Sequence, residues 1–488
     1  MDKNNAINFQ EENNNSPDPT NIIKEINNTS QNQKPLQITT TNQNELKKNL
    51  FYINRKILYC IYLIELFCLL NFDQGALSAS TKEIKTSFKM TDRELGSFGG
   101  ISFFGTTLGG IFSLSFINKL NRRYIILFLQ IISIISLYIP TIIYSKYLFI
   151  LCRILTGFSQ AFMSIYLPVW VDQFGIYNKK SIMISLISMP SAFGYLLGNI
   201  LVVYSSWITT FRINAFSSFC LFLGFFLNKN IYFSKSIIAK KKKDNDLQSI
   251  NNSINNNINN IDQLSMFEDD SLNNNIYDNQ SIINNAIKCF KSKLFCFMTI
   301  AIISIFFILS GLQFWVNDFF ENVLDIADKK ERLLGFVIII VFTALFAPVT
   351  SGFIMQKLGG YESKRVIYFP FLSCIISLIC SNLMLLSKNK YYILFFFQIY
   401  LFSGCMIIPC LNGILISSMS KELAGSVSAI SNLLYNILGR LTGPSFYGVL
   451  RSIFNKKSSF PMVILFDMKL LTAFCLFKSF KYKSTNLK

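Results

Sequence analysis

Leu148–Phe174 reads LFILCRILTGFSQAFMSIYLPVWVDQF. A helix of about 20 mostly apolar residues, rising ~1.5 Å per residue, crosses the hydrocarbon core of a bilayer. This stretch is long enough, yet it carries Arg153, Gly157, Gln160 and Asp172. A guanidinium in such a segment costs about 2.5–3.5 kcal/mol on insertion scales, so it faces protein or a water-filled space. Arg153 and Gln160 stand seven residues apart and project from nearly the same face. The polar stripe is either one wall of a cavity or a pin between two helices.

The rest of the chain has the same character. Of 488 residues 51% are hydrophobic and 15% charged, and mean hydropathy is +0.39. These values exclude an ordinary soluble domain and call for several membrane helices. The net charge of +19 is carried by short connections and tails rather than by one face, which speaks against a nucleic-acid partner. The 11 cysteines lie mostly in apolar runs without a CxxC pair, so neither a disulfide framework nor a metal site is expected. Histidine is absent, which removes the side chain that titrates most readily near neutral pH. There is no phosphate-binding GxxxxGK[ST] motif and no nucleophile–base arrangement. No enzyme and no cofactor is expected.

Hydrophobic runs predict spans at about Lys56–Ser78, Leu95–Ile117, Tyr124–Tyr144, Leu148–Phe174, Ser181–Tyr204 and Ile213–Leu227. A second set follows at Leu294–Val316, Leu334–Met355, Val366–Leu386, Tyr391–Ser418, Val427–Tyr447 and, weakest, Pro461–Phe477 with Asp467 and Lys469 inside it. The expected organisation is a disordered Asn- and Gln-rich tail (1–50), a six-helix bundle (51–228), a low-complexity cytosolic linker (229–293) and a second six-helix bundle (294–480). Lys119, Arg122 and Arg123 follow span two, Lys179 and Lys180 span four, Lys240–Lys243 span six, and Lys357, Lys364 and Arg365 span eight. By the positive-inside rule both termini and the linker are then cytosolic. The Lys82–Arg93 connection dissents, since it puts lysines outside.

The two halves echo one another. LSFINKLNRR begins at Leu114 and GFIMQKLGGYESKR at Gly352, each with an amide (Asn118, Gln356), a Lys-Leu (Lys119, Lys357 leading) and a basic pair. This pattern resembles the cytosolic signature of the major facilitator superfamily, with amides where the family has an acid. The resemblance implies a conformational latch around Asn118, Lys119, Arg122, Arg123, Gln356 and Lys357. Within that superfamily the chain resembles the Spinster-like transporters in NFDQG from Asn71, NKLNRR, RILTGFSQA from Arg153, MPSAFGYLLG from Met189, GLQFWVNDFF from Gly311 and LGRLTGP from Leu438. It departs from their pattern at Gln74, Gln160 and Arg440, which leaves Asp73 as the remaining carboxylate of the family's proton site.

The resemblance implies a twelve-helix, all-α membrane transporter of two pseudo-symmetric six-helix bundles, monomeric, in the plasma membrane or an endolysosomal or vacuolar one. Its expected cargo is a lysophospholipid- or sphingolipid-type amphiphile, with proton coupling as an open element. A carrier of sugars or amino acids and a non-transporting membrane sensor or scaffold are the alternatives. Depth along the spans puts Asp73, ~25 Å from the start of span one, level with Arg153. An ion pair between them is expected, the alternative being Asp73 in water at the membrane edge. Glu65 is either a cavity residue or the partner of a lysine. Arg440 either receives an anionic head group or pairs with Asp318. Trp315 lies on the cavity or in an interfacial aromatic belt. Pro190, Gly194 and Gly198 in span five, with Gly443 and Pro444 in span eleven, are expected helix bends or small-residue faces.

Overall fold

A computed structural model describes residues 38–116, 121–174, 180–227, 286–326, 328–361, 363–419, 423–454 and 457–485, with side chains left aside at 38–57, 114–116, 168–169, 171–174, 180–189, 424–426 and 484–485. The chain forms two units, Met1–Leu58 and Tyr59–Lys488; the first helix begins in the first unit, and the packing described below is that of the second.

Its helices are α1 (Ile38–Ala79), α2 (Asp92–Phe116), α3 (Arg122–Tyr138), α4 (Lys146–Phe174), α5 (Lys180–Tyr204) and α6 (Trp207–Leu227). Then come α7 (Lys293–Asn322), α8 (Lys329–Lys357), α9 (Tyr368–Leu383) and α10 (Lys390–Ser417). Two further spans are segmented. In α11, Ala424–Leu434 passes through a π turn at Tyr435–Arg440 into Thr442–Ile453; in α12, Phe460–Asp467 is followed by Lys469–Thr485. This is the expected twelve-helix layout, two sets of six helices without a strand among the described residues. Among the described residues ten helices are long and apolar enough to cross a membrane. Helix α5 is largely apolar in sequence over its whole length, and α11 is divided by its π turn.

Helix starts follow from local chemistry. Four N–H groups at each start lack a partner within the helix, and a short polar side chain just ahead accepts one of them. Asn121 accepts from Arg123 N (3.1 Å), Asp328 from Lys330 N (3.1 Å) and Asn389 from Tyr391 N (2.9 Å). At the end of α8, Gly359 and Gly360 adopt φ of 94° and 75°, and their N–H groups return to Gln356 O and Met355 O. Only glycine takes that left-handed turn without strain, which explains the Gly-Gly of the second repeat. Along α8, Leu334, Ile338, Phe342, Phe346, Val349 and Phe353 are all exposed at helical spacing. Such an apolar stripe is the face offered to lipid.

Several boundaries differ from expectation, and three have a visible consequence. Helix α1 begins at Ile38, inside the expected tail. Helix α6 begins at Trp207 rather than Ile213, because Arg212 does not end the span. Its guanidinium donates to Thr141 O (3.0 Å) and Thr141 Oγ1 (3.2 Å) at the end of α3. The last span runs on to Thr485, its central polar pair satisfied inside the half: Ser381 Oγ and Asn382 Nδ2 donate to Asp467 Oδ1 at 3.1 Å, and Lys469 donates to Ser377 Oγ. The expected linker lies outside the described residues up to 285.

The halves come into close contact at the end carrying residues 80–91. A Cβ on Gly100 of α2 would lie 2.1 Å from Leu441 O of α11, one on Gly96 2.5 Å from Pro444 O, and one on Gly448 2.5 Å from Asp92 O. Any side chain there would hold the two backbones apart, so glycine is what lets the halves touch. Ser78 Oγ and the Tyr195 hydroxyl both donate to Gln313 O (2.7 and 2.5 Å), and Asn317 Nδ2 donates to Ser78 Oγ (3.0 Å) and Asn199 Oδ1 (2.9 Å). Lys82–Glu321 (2.9 Å) and Lys329–Glu83 (3.0 Å) cross the same junction, while Lys85 pairs with Asp92. The lysines of the dissenting connection at 82 and 85 are thus matched by acids.

Candidate functional site

Below this junction, toward the end that carries Phe116 and Lys357, a cavity of about 470 Å³ lies between the halves. Helices α1, α2, α4 and α5 supply one wall and α7, α8, α10 and α11 the other. The walls differ. Asn71, Gln74, Thr106, Gln160, Ser164 and Ser191 make the first largely polar. Leu309, Leu312, Phe336, Ile340, Phe397 and Leu401 make much of the second apolar, with Asn432, Asn436 and Arg440 forming a polar edge on α11.

Asp73 and Arg153 are joined, as their depth predicted, in an ion pair with both residues buried. The alternative of Asp73 in water is overturned by its 1% exposure. The pair lies behind the cavity wall, and the wall itself is made by the amides next to it. Gln160 Nε2 donates to Asp73 Oδ1 (3.1 Å) and to Leu70 O, while Gln74 Nε2 donates to Gln160 Oε1 (3.2 Å). Two buried charges are tolerable only with this kind of pairing and added hydrogen bonds. The chain Gln74–Gln160–Asp73–Arg153 therefore links a cavity surface to a buried charge pair. Close packing of α5 on α1 holds it in place: a Cβ on Gly194 would lie 2.0 Å from Cys68 O, and one on Gly198 2.1 Å from Phe72 O. These two glycines serve close approach, with Pro190 buried inside α5 just ahead of them.

Arg440 lines the cavity from α11, but Asp318 is not its partner. Asp318 Oδ2 lies 3.0 Å from Arg451 Nε, three turns further along the same helix, where both sit near the closed end. Arg440 instead lies among rings, with its guanidinium carbon 4.4 Å from the centroid of Phe306, 5.3 Å from Tyr435 and 5.5 Å from Phe103. The expected bend at Gly443 and Pro444 comes earlier, as the π turn in which Leu441 N bonds Asn436 O at 3.0 Å. Gly443 is a contact point instead, its Cβ position 2.1 Å from Phe307 O.

Trp315 does not line the cavity. It is 1% exposed, donates its Nε1–H to Pro444 O at 3.0 Å and packs on Tyr447, tying α7 to α11. It belongs to neither the cavity nor an interfacial belt. Glu65 is exposed and lies outside the cavity lining, because it projects from the face of α1 opposite Phe67, Asn71 and Gln74. Of the residues implied as a latch, Asn118 and Lys119 lie outside the described residues. Arg123 donates to Phe225 O (3.3 Å) and Phe226 O (2.8 Å) at the end of α6, and Arg122 lies 5.8 Å over the Tyr166 ring. Cations suit a helix C-terminus, so Arg123 ties α3 to α6 within one half. Gln356 and Lys357 are exposed at the end of α8.

Sequence reasoning missed the hydrogen-bonded cluster of Ser78, Tyr195, Asn199, Gln313 and Asn317. Small polar residues inside spans were its only signal. Lys469, named in the sequence only as a charge in the weakest span, is 3% exposed and has its Nζ 3.5 Å from the Tyr400 ring centroid. Among the described residues no group of three or more Cys, Asp or Glu is placed to hold a metal.

No curated protein sequence matches the chain. The fold is similar to that of a bacterial homolog of the human lysosomal transporter Spinster in an inward-facing, unoccupied conformation, at 12% identity and a TM-score of 0.71, covering 88% of this chain and 98% of that one. It is also similar to the nucleoside transporter NupG (15%, TM-score 0.60, covering 88% and 99%). A D-xylose–proton symporter shares it too (14%, TM-score 0.61, covering 86% and 97%). The family model of the Major Facilitator Superfamily matches residues 66–444, most of the chain and both walls of the cavity, and the chain belongs to that superfamily.

Proposed function

We propose that the chain is a secondary transporter that moves a small amphiphilic solute across a membrane by alternating access. The carrying observation is the cavity itself. At about 470 Å³ it falls in the size range of small-molecule sites, and it is apolar on one half and amide- and hydroxyl-rich on the other. A solute with one greasy and one polar side meets both walls, whereas a sugar would leave the Leu309–Leu312–Phe336 wall without a partner. The resemblance of NFDQG from Asn71, RILTGFSQA from Arg153 and MPSAFGYLLG from Met189 to the Spinster-like transporters supports the lipid-like choice, a lysophospholipid or sphingolipid type. The loops put the linker end in the cytosol by their lysines and arginines, so the closed junction faces outward and the cavity is on the inner side. Alternate opening then requires the Gly96–Gly100–Gly448 contact and the Gln313 cluster to part while the other end closes.

The Asp73–Arg153 pair is the proposed coupling element. Gln160 and Gln74 connect it to the solute space, so a proton or a solute that disturbs one is felt by the other. The test is transport by the purified chain in liposomes, screening lysolipids, nucleosides, sugars and amino acids with and without a pH gradient. Uptake of a single-chain lipid above that of sugars is expected. Transport of sugars or amino acids alone would replace this reading with the polar-nutrient one.

A further inference from the structure

We propose that Arg440 is the anion receptor of the cavity, so that the carried amphiphile bears one oxyanion of the phosphate or carboxylate type. The inference rests on the cavity being the solute site, and it adds the charge of the solute to that reading.

Arg440 is the one formally charged residue among the described residues that line the cavity. No hydrogen bond or ion pair joins its guanidinium to any described residue, and the nearby acids are taken: Asp318 by Arg451 and Asp73 by Arg153. A lone cation facing a partly apolar chamber is electrostatically incomplete, and the solute is the natural source of its counter-charge.

The surroundings of Arg440 fit this role. Rings at 4.4, 5.3 and 5.5 Å come from α7, α11 and α2, so both halves contribute to holding the guanidinium. Rings stack against the flat faces of a guanidinium and leave its N–H edges free, in the fork that suits a carboxylate or phosphate. A second observation lies one turn away. Asn436 is 6% exposed, lines the same wall and keeps its side-chain oxygen without a hydrogen-bond partner. Beside a bound oxyanion, that acceptor suits a hydroxyl or N–H of the same head group. The Leu309, Leu312 and Leu401 surface then receives the acyl or alkyl part. Because Phe103 belongs to the opposite half, parting of the halves would take one ring away from the cation, and bound anion would compensate.

The experiment uses the full chain in liposomes and three probes: lysophosphatidate, the monoacylglycerol with the same acyl chain, and inorganic phosphate. Wild type is expected to bind lysophosphatidate at least tenfold more tightly than monoacylglycerol. Arg440→Ala should abolish that preference, and Arg440→Lys should keep part of it. Competition by inorganic phosphate would identify a site for the free anion, and its failure to compete a site that needs the lipid head group in place. If Arg440→Ala does not fold, thermal protection of wild type decides: protection by lysophosphatidate and not by monoacylglycerol supports the receptor, and equal protection overturns it. An Arg440→Ala chain that keeps full lysophosphatidate preference also overturns it. Both lipids moved with no dependence on Arg440 would leave the transport reading standing without the anion site. Lysophosphatidate bound through Arg440 yet never moved would leave the anion site without transport.

Discussion

Arg153 pairs with Asp73 one residue behind the cavity surface, so that Gln74 and Gln160 face the solute space while the charges themselves do not. A pair so placed is sensitive to single changes and tolerant of double ones. Removing one member of a buried pair leaves an uncompensated charge and costs about 3–5 kcal/mol. Asp73→Asn should therefore lower the unfolding midpoint in detergent sharply. Asp73→Asn combined with Arg153→Gln should recover most of the loss. A double variant no more stable than Asp73→Asn would show that the charges are not each other's principal partners.

Gly100 sets the distance between α2 and α11. An added Cβ would meet Leu441 O at 2.1 Å, a backbone atom that cannot swing aside. Gly100→Ala should loosen the closed junction. With Ser78→Cys as reporter, labelling by a membrane-impermeant maleimide applied from that end should rise severalfold over the Gly100 parent. Unchanged labelling would mean that the junction does not depend on this contact.

Lys469 is buried without a carboxylate partner among the described residues, held by Ser377 Oγ and the face of Tyr400. A desolvated amine in this setting is costly, and an apolar side chain of similar length avoids the cost. Lys469→Met should keep the fold and raise the unfolding midpoint. A clear fall would show that the amine is structurally required where it sits.

The fold was largely legible in sequence because membrane spans are written in long apolar runs, and all twelve appear at or near their expected places. The Asp73–Arg153 pair was legible for a related reason. Charges inside spans are few, and depth along two antiparallel helices leaves few pairings. Arg440 was half legible, since its position was foreseen and its partner was not. The competition between Arg440 and Arg451 for Asp318 depends on which turn of α11 faces α7, and the π turn at Tyr435–Arg440 shifts that register. Trp315 was misjudged because an aromatic at a helix end looks the same whether it faces lipid headgroups or a neighbour's carbonyl. Glycine contacts such as Gly100 against Leu441 join residues hundreds apart, and a single sequence marks the small residue without naming its partner.

The central claim is that the two halves must part at the Ser78–Asn317 contact for solute to pass. Asn317 Nδ2 lies 3.0 Å from Ser78 Oγ, so cysteines at these two positions face each other across the contact, within reach of a short bifunctional methanethiosulfonate. In liposomes, cross-linking the Ser78→Cys, Asn317→Cys chain with that reagent should stop uptake of a single-chain lipid and a reductant should restore it, with each single variant active throughout. Full transport by a completely cross-linked chain would contradict the account.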